Sequence, residues 1–341
     1  MRIPTDSYAE YALELLPAER ELIDEFSGWL PDMVVDCHVH SNPPSSVMEI
    51  DDEMYRNMVT TFPHFTIEQH RRFTELLYPG KTVVLLPFTM PYRGIDFRAA
   101  NKYLLDVAGS DPTVRPVLYG LPDDTAYTIG MLSNPAFVGL KMYMLYFRPA
   151  ASRISEFFTD EILAHVNQIG GTAILHPPAP VTRSFQDIAE TAVRFPNVTF
   201  VVAHMGSLTL SSEGVEAVYK KLAPITNLVF DTAIVPSVEI LRTGLDVFGH
   251  HRVLFGTDQP LSLVRASVCI NPVLGERLAT PYPYHWADPE EERGYAPYAQ
   301  GATHLHWGTM KALREAIATY GETPGVVQDI FCNNARRAFK L

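Results

Sequence analysis

Cysteine is scarce in this 341-residue chain: Cys37, Cys269 and Cys332 are its three, widely spaced and without a CxxC pair. An odd, scattered set excludes a disulfide framework and a zinc ribbon, and it fits a reducing compartment. Basic residues are outnumbered, 27 Lys and Arg against 39 Asp and Glu, giving a net charge of −12. Such a surface repels phosphate backbones and anionic lipid, and no local basic stripe offsets it, so neither nucleic acid nor a membrane is an expected partner. No apolar run approaches the roughly 18 residues of a membrane span. Met1 to Glu10 is polar and acidic where a signal peptide needs a basic start and an apolar stretch, so the expected location is cytoplasmic. No GxGxxG follows any strand-like run, which argues against a dinucleotide-binding open sheet.

What the chain has instead is apolar material, 47% of residues against 19% charged, enough for a large core. Short β-branched runs recur at Met33–Val39, Thr82–Phe88, Val114–Gly120, Phe137–Tyr143, Thr172–His176, Val198–His204, Asn227–Thr232 and Arg252–Thr257. Helical patterns separate them: Ile67–Leu77, Arg98–Ala108, Thr125–Leu132, Phe158–Ile169, Ser184–Arg194, Ser212–Leu222 and Ser237–Phe248, followed by Thr309–Tyr320 and Val326–Phe339. Alternating βα units imply a parallel sheet, and about eight of them imply closure into a (β/α)8 TIM barrel. The chain reads as a single barrel domain over 1–341, with an N-terminal helical extension over 1–32 that Pro17 divides into two short helices. Two connections, 41–66 and 259–308, are too long for ordinary βα loops and follow strand C-termini, so they are candidate lids. The second is rich in Tyr, Trp and His, including His285, His304 and His306, which suits a cover over a pocket or an insertion packed on itself or on a second subunit. Homodimerisation is compatible with that insertion.

Chemistry concentrates at strand ends. In Asp36-Cys37-His38-Val39-His40, strict alternation puts Asp36, His38 and His40 on the barrel's inner face and turns Cys37 outward against the helices. Two imidazoles on one strand can share a divalent cation, although an HxH pair alone is weak. His176 ends the fifth strand, His204 the sixth and Asp258 the eighth, while the fourth carries Lys141, a buried amine that requires an anion, a metal or a chemical modification. Thus His38, His40, Lys141, His176, His204 and Asp258 converge on one mouth. Imidazoles with a carboxylate and no thiolate suit Zn²⁺, Mn²⁺ or Fe²⁺ in a catalytic site. Asp231 faces the same mouth, as partner to a ligand histidine or as a cap for the next helix. His250-His251 lies at the opposite end and reads as structural or solvated, and His64, His70 and His165 as ordinary, partly exposed histidines.

The motifs DCHVH, GLKMY, ILHPP, VVAHMG and VLFGTDQP, in that order over Met33 to Asp258, resemble the amidohydrolase superfamily of metal-dependent TIM-barrel hydrolases. The tail Cys332-Asn333-Asn334-Ala335-Arg336-Arg337-Ala338-Phe339 is similar to the closing helix of the branch that includes aminocarboxymuconate semialdehyde decarboxylase. The binuclear pattern of the superfamily implies one ion on His38, His40 and Asp258, a second on His176 and His204, and a carboxylated Lys141 between them. The mononuclear pattern implies one ion on His38, His40, His176 and Asp258, with His204 catalytic and Lys141 unmodified.

The residues point to a metal-dependent hydrolase acting on an amide, ester or lactone of a small molecule, with Asp258 shuttling the proton and His204 supporting charge on the carbonyl oxygen. Arg183, Arg93 and Tyr143, with Tyr92 and Arg148, are the candidate substrate anchors, a guanidinium being suited to a carboxylate. The alternatives are a metal-dependent decarboxylase or C–C lyase on an aromatic or muconate-like acid, and a non-catalytic barrel scaffold.

Overall fold

A computed structural model describes residues 12–48, 62, 64–91, 94–206, 212–271, 275–280 and 299–341. Helix α1 (Pro17–Ser27) leads into β1 (Met33–His40), followed by α2 (Ile67–Leu77), β2 (Thr82–Phe88), α3 (Phe97–Ala108), β3 (Val117–Tyr119) and α4 (Thr125–Leu132). Then come β4 (Gly139–Met142), α5 (Asp160–Ile169), β5 (Thr172–Leu175), α6 (Val181–Arg194), β6 (Thr199–Val202), α7 (Val215–Leu222), β7 (Leu228–Asp231), α8 (Val238–Phe248) and β8 (Val253–Leu254). Pro17 opens α1, where a missing N–H costs nothing in a first turn, and so separates it from the helical residues Ala12 and Leu13, as the sequence suggests. Side-chain oxygens of Thr66, Asp96, Asp124 and Ser237 cap α2, α3, α4 and α8, which fixes where each chain segment leaves its loop.

All eight strands run parallel and close into a barrel. Strands β3 to β8 pair in sequence order and β1 pairs with β2. Main-chain hydrogen bonds bridge the two seams. At β2 and the approach to β3, Leu85 N–H donates to Thr113 O (2.9 Å) and Arg115 N–H to Leu85 O (2.9 Å). At β8 and β1, Cys37 N–H donates to Phe255 O (3.1 Å), Asp258 N–H to His38 O (2.7 Å) and His40 N–H to Gln259 O (2.7 Å). The chain that follows β8 therefore completes the ring through main-chain hydrogen bonds.

The core has two layers, as a barrel requires. Outward side chains such as Val34, Leu140, Leu175 and Phe200 pack with the helices. Inward ones, Val35, Leu86, Val117, Ile174, Val201 and Leu254, meet Cys332, Ala335, Ala338 and Phe339 from the C-terminal segment, which plugs the floor. That segment comprises α9 (Leu305–Gly321), α10 (Pro324–Gln328), a π turn (Asp329–Asn333) and α11 (Asn334–Phe339), the last three standing where sequence periodicity suggests one helix over Val326–Phe339. A Cβ on Gly139 would lie 3.1 Å from the Phe339 ring, so glycine leaves room for the plug.

Strand β1 departs from the expected alternation. Its register against β2 shifts between Asp36 (opposite Leu85) and Val39 (opposite Pro87), a bulge of one extra residue. Cys37 consequently joins Val35 in the inner floor instead of packing outward on the helices, while Val39 packs outward. Asp36 leaves the mouth and binds Thr257, accepting from its N–H (3.0 Å) and its hydroxyl (2.5 Å).

The second long insertion is more than a lid loop. Strands β9 (Arg265–Asn271), β10 (Gly275–Ala279) and β11 (Thr303–His304) form a small antiparallel sheet in the order β10-β9-β11. Arg265 and His304 are buried against Glu19 of α1, whose carboxylate accepts from Arg265 Nε (3.0 Å) and from His304 N–H (3.0 Å). His304 thus lies in a structural ion-pair cluster rather than over the pocket. His306 packs on Tyr78, just past the end of α2, with Nε2 3.3 Å from the phenol oxygen. Tyr282, Tyr284, His285, Trp286, Tyr295 and Tyr298, like most of 41–66, lie outside the described residues. No described helix is long and apolar enough to cross a membrane.

Candidate active site

The bulge in β1 gathers the first candidate ligands. With one extra residue inserted, His38 and His40 both stand over Phe88, ring centroids 5.1 and 4.6 Å away. Asp258 reaches them from the loop after β8, in the left-handed region at φ 62°. Its backbone is held by the bond to His38 O, and its neighbour Thr257 by Asp36. Gly256 permits the approach, since a Cβ there would sit 2.9 Å from His38 Cβ.

His176 and His204 adjoin them, 5.1 Å apart between centroids, with His204 4.9 Å from His38. His204 and Met205 have φ values of 57° and 54°, an unfavourable conformation for non-glycine residues that the fold must impose. Asp231 supplies part of that constraint. Its Oδ1 accepts from the His204 N–H (2.8 Å) and the Ala233 N–H (3.1 Å), while Oδ2 accepts from His38 Nδ1 (2.9 Å). One carboxylate therefore fixes a ring on β1 and a turn after β6. Lys141 Nζ is buried without a hydrogen-bond partner, 5.1 Å from the Phe88 ring centre and 5.6 Å from that of Tyr143.

The four imidazoles share one orientation. Nδ1 donates to Asp231 in His38, to Thr89 O in His40 (3.2 Å), to Pro177 O in His176 (3.1 Å) and to Ala233 O in His204 (2.7 Å). A carbonyl oxygen can only accept, so the proton resides on Nδ1 and Nε2 of the neutral ring carries a lone pair. Burial holds His38 and His176 well below the ordinary imidazole range, keeping both neutral near pH 7. Burial also pushes the Asp258 carboxyl up, and the imidazoles of His38, His40 and His204 more than reverse it, leaving it a carboxylate.

With Nδ1 committed to these oxygens, Nε2 of His38 and of His40 turns towards Asp258. Asp258 Oδ1 lies 2.9 Å from His40 Nε2 and 3.5 Å from His38 Nε2. A carboxylate oxygen so close to two ring nitrogens needs a cation among them, a proton or a metal ion. For metal–ligand bonds of about 2.0 Å, tetrahedral geometry sets ligand atoms about 3.3 Å apart. The His38, His40 and Asp258 atoms, all within 4.8 Å of one another, fit a divalent ion. Burial brings Lys141 down to about 8 against the opposing pull of Asp231 and Asp258, so a neutral amine is accessible just above neutral pH.

Of the expected anchors, Tyr143 stands beside the site, its ring 4.8 Å from that of His176. Arg183 is exposed on the first turn of α6, and Arg148 is exposed as well. Tyr92 and Arg93 lie outside the described residues. One contributor escaped the sequence reading: His70 of α2 is fully buried, not partly exposed. Its Nε2 donates to His40 O (2.9 Å) and its Nδ1 meets the Gln259 side chain (3.2 Å), bracing the strand end and the loop that carries Asp258. A lone histidine on a helix gives no sequence signal of that role.

A family model described as Amidohydrolase matches residues 35–341. Among solved structures, the chain is similar to a zinc-bound amidohydrolase from Burkholderia multivorans, with 13% identity, 91% of this chain and 99% of that one covered, and a TM-score of 0.59. It is similar to 5-carboxyvanillate decarboxylase from Sphingomonas paucimobilis at 14% identity, with 92% and 99% covered and a TM-score of 0.58. A probable 2-pyrone-4,6-dicarboxylic acid hydrolase from Acinetobacter baumannii shows 12% identity, 90% and 99% coverage and a TM-score of 0.58. At these identities the likeness speaks for the fold. No curated protein matches the chain in sequence.

Proposed function

Since the chain belongs to the amidohydrolase family, we propose that it is a metal-dependent hydrolase of a small carbonyl substrate, an amide, ester or lactone bearing a carboxylate. The carrying observation is the 2.9 Å approach of Asp258 Oδ1 to His40 Nε2 inside a ring of four Nδ1-anchored imidazoles. His38, His40 and Asp258 would hold one divalent ion, most simply zinc, as in the Burkholderia multivorans structure, with manganese and iron as alternatives. His176, His204 and Lys141 would hold a second if Lys141 is carboxylated, a modification that its lowered pKa favours because only the neutral amine reacts with carbon dioxide. When bound, the cation supplies Lewis acidity towards a carbonyl oxygen and acidifies water.

Asp258 accepts a proton from the attacking water and returns it to the leaving group. His204 Nε2 faces the same space, either as a ligand or beside the carbonyl oxygen. Tyr143, next to His176, contacts substrate, and Arg183 and Arg93 are assigned to its carboxylate.

A second reading, a decarboxylase of an aromatic acid, is favoured by the Sphingomonas paucimobilis neighbour's own reaction. The test is metal analysis together with product analysis on lactones, esters and aromatic acids. Hydrolysis by wild type and its loss with the ion in His38→Ala support the proposal. Carbon dioxide release installs the decarboxylase, and a metal-free wild type with full activity removes both.

A further inference from the structure

We infer that the floor of the barrel carries a separate binding site for a zinc-type divalent cation, formed by His250, His251 and Asp329. The ligand-type atoms are His250 Nε2, 3.3 Å from Asp329 Oδ2, and His251 Nδ1, 3.0 Å from the same oxygen, with all three atoms within 4.8 Å of one another. Those separations match the edge of about 3.3 Å that a four-coordinate ion with bonds near 2.0 Å requires. The surrounding groups orient the set. The Tyr320 hydroxyl lies 3.3 Å from His250 Nδ1 and holds the ring with Nε2 towards Asp329. Asn333 Nδ2 donates to Asp329 Oδ1 (2.8 Å), turning Oδ2 towards the histidines, and Asn334 Nδ2 donates to His250 O (2.7 Å), fixing the turn. Arg337 approaches Asp329 Oδ1 at 3.8 Å and shares the carboxylate's charge, which makes the site weaker than the mouth. His251 is 66% exposed, so an ion can enter and complete its shell with water.

The position gives the site a consequence. His250 and His251 form the turn that feeds β8, and Asp329 opens the π turn of the floor plug. An ion across them clips two segments nearly 80 positions apart, and a ligand bound only by the folded chain stabilises it.

The experiment is equilibrium dialysis of tag-free protein against micromolar Zn²⁺, with metal content and melting temperature measured for wild type, His251→Ala, Asp329→Asn and His38→Ala. Wild type should hold one ion more than His251→Ala and Asp329→Asn. Zn²⁺ should still raise the melting temperature of His38→Ala, by several degrees, and the His251→Ala change in that background should abolish the rise. The same zinc content in wild type and His251→Ala overturns the inference, as does a wild type whose every ion is lost in His38→Ala.

Discussion

The two ends of the barrel each gather two histidines and an aspartate, yet they are different environments. At the mouth, His38, His40 and Asp258 are buried, and each Nδ1 is tied to a fixed oxygen. At the floor, His251 is mostly exposed and Asp329 is shared with Arg337 and Asn333. The same residue types thus yield a pre-oriented centre where water is excluded and a looser one where it is not. Orientation costs conformational freedom in advance, so the mouth should be far more sensitive to single substitutions than the floor.

The largest expected effect is on Asp258→Asn, which keeps the shape but removes the base; turnover should fall ~10²–10⁴-fold, and a fall under tenfold would give the proton transfer to another group. Asp231→Asn should come next, lowering metal affinity or activity ~10–100-fold because His38 and the His204 turn lose their shared anchor. An unchanged metal affinity and kcat would show that the turn holds itself. Gly256→Ala, which drives a Cβ to 2.9 Å from His38, should destabilise by about 1–3 kcal/mol in denaturant unfolding.

Acid should discriminate the buried histidines from the exposed ones. Burial brings His70 and His304 down to about 4 and His306 to about 3. The unfolded chain binds their protons first, near pH 6.5, so stability is complete above that value and falls as pH drops from about 6.5 towards 4. A flat unfolding free energy across that window would mean that these rings are protonated in the folded state.

Much of this was legible in one dimension. The strand runs, most helix positions and the six residues at the mouth follow from period-2 and period-3.6 patterning and from chemistry repeated at strand ends. Cys37 was not legible, because one inserted residue in β1 reverses the alternation and no local signal marks the bulge. Neither His70 nor the Glu19, Arg265 and His304 cluster could be read, since each joins elements distant in sequence. The antiparallel sheet within 259–308 gives no clear signal either, because Arg265, Asn271, Glu276 and Arg277 interrupt the apolar pattern of its short strands.

The sequence by itself determined that eight βα units close around polar strand ends, because burial on both faces of a parallel sheet requires that alternation. Only the tertiary structure decided which nitrogen of each imidazole faces inward. That choice belongs to carbonyls and carboxylates on neighbouring strands, and hydrogen-bond partners across a barrel are fixed by closure of the ring, not by proximity along the chain.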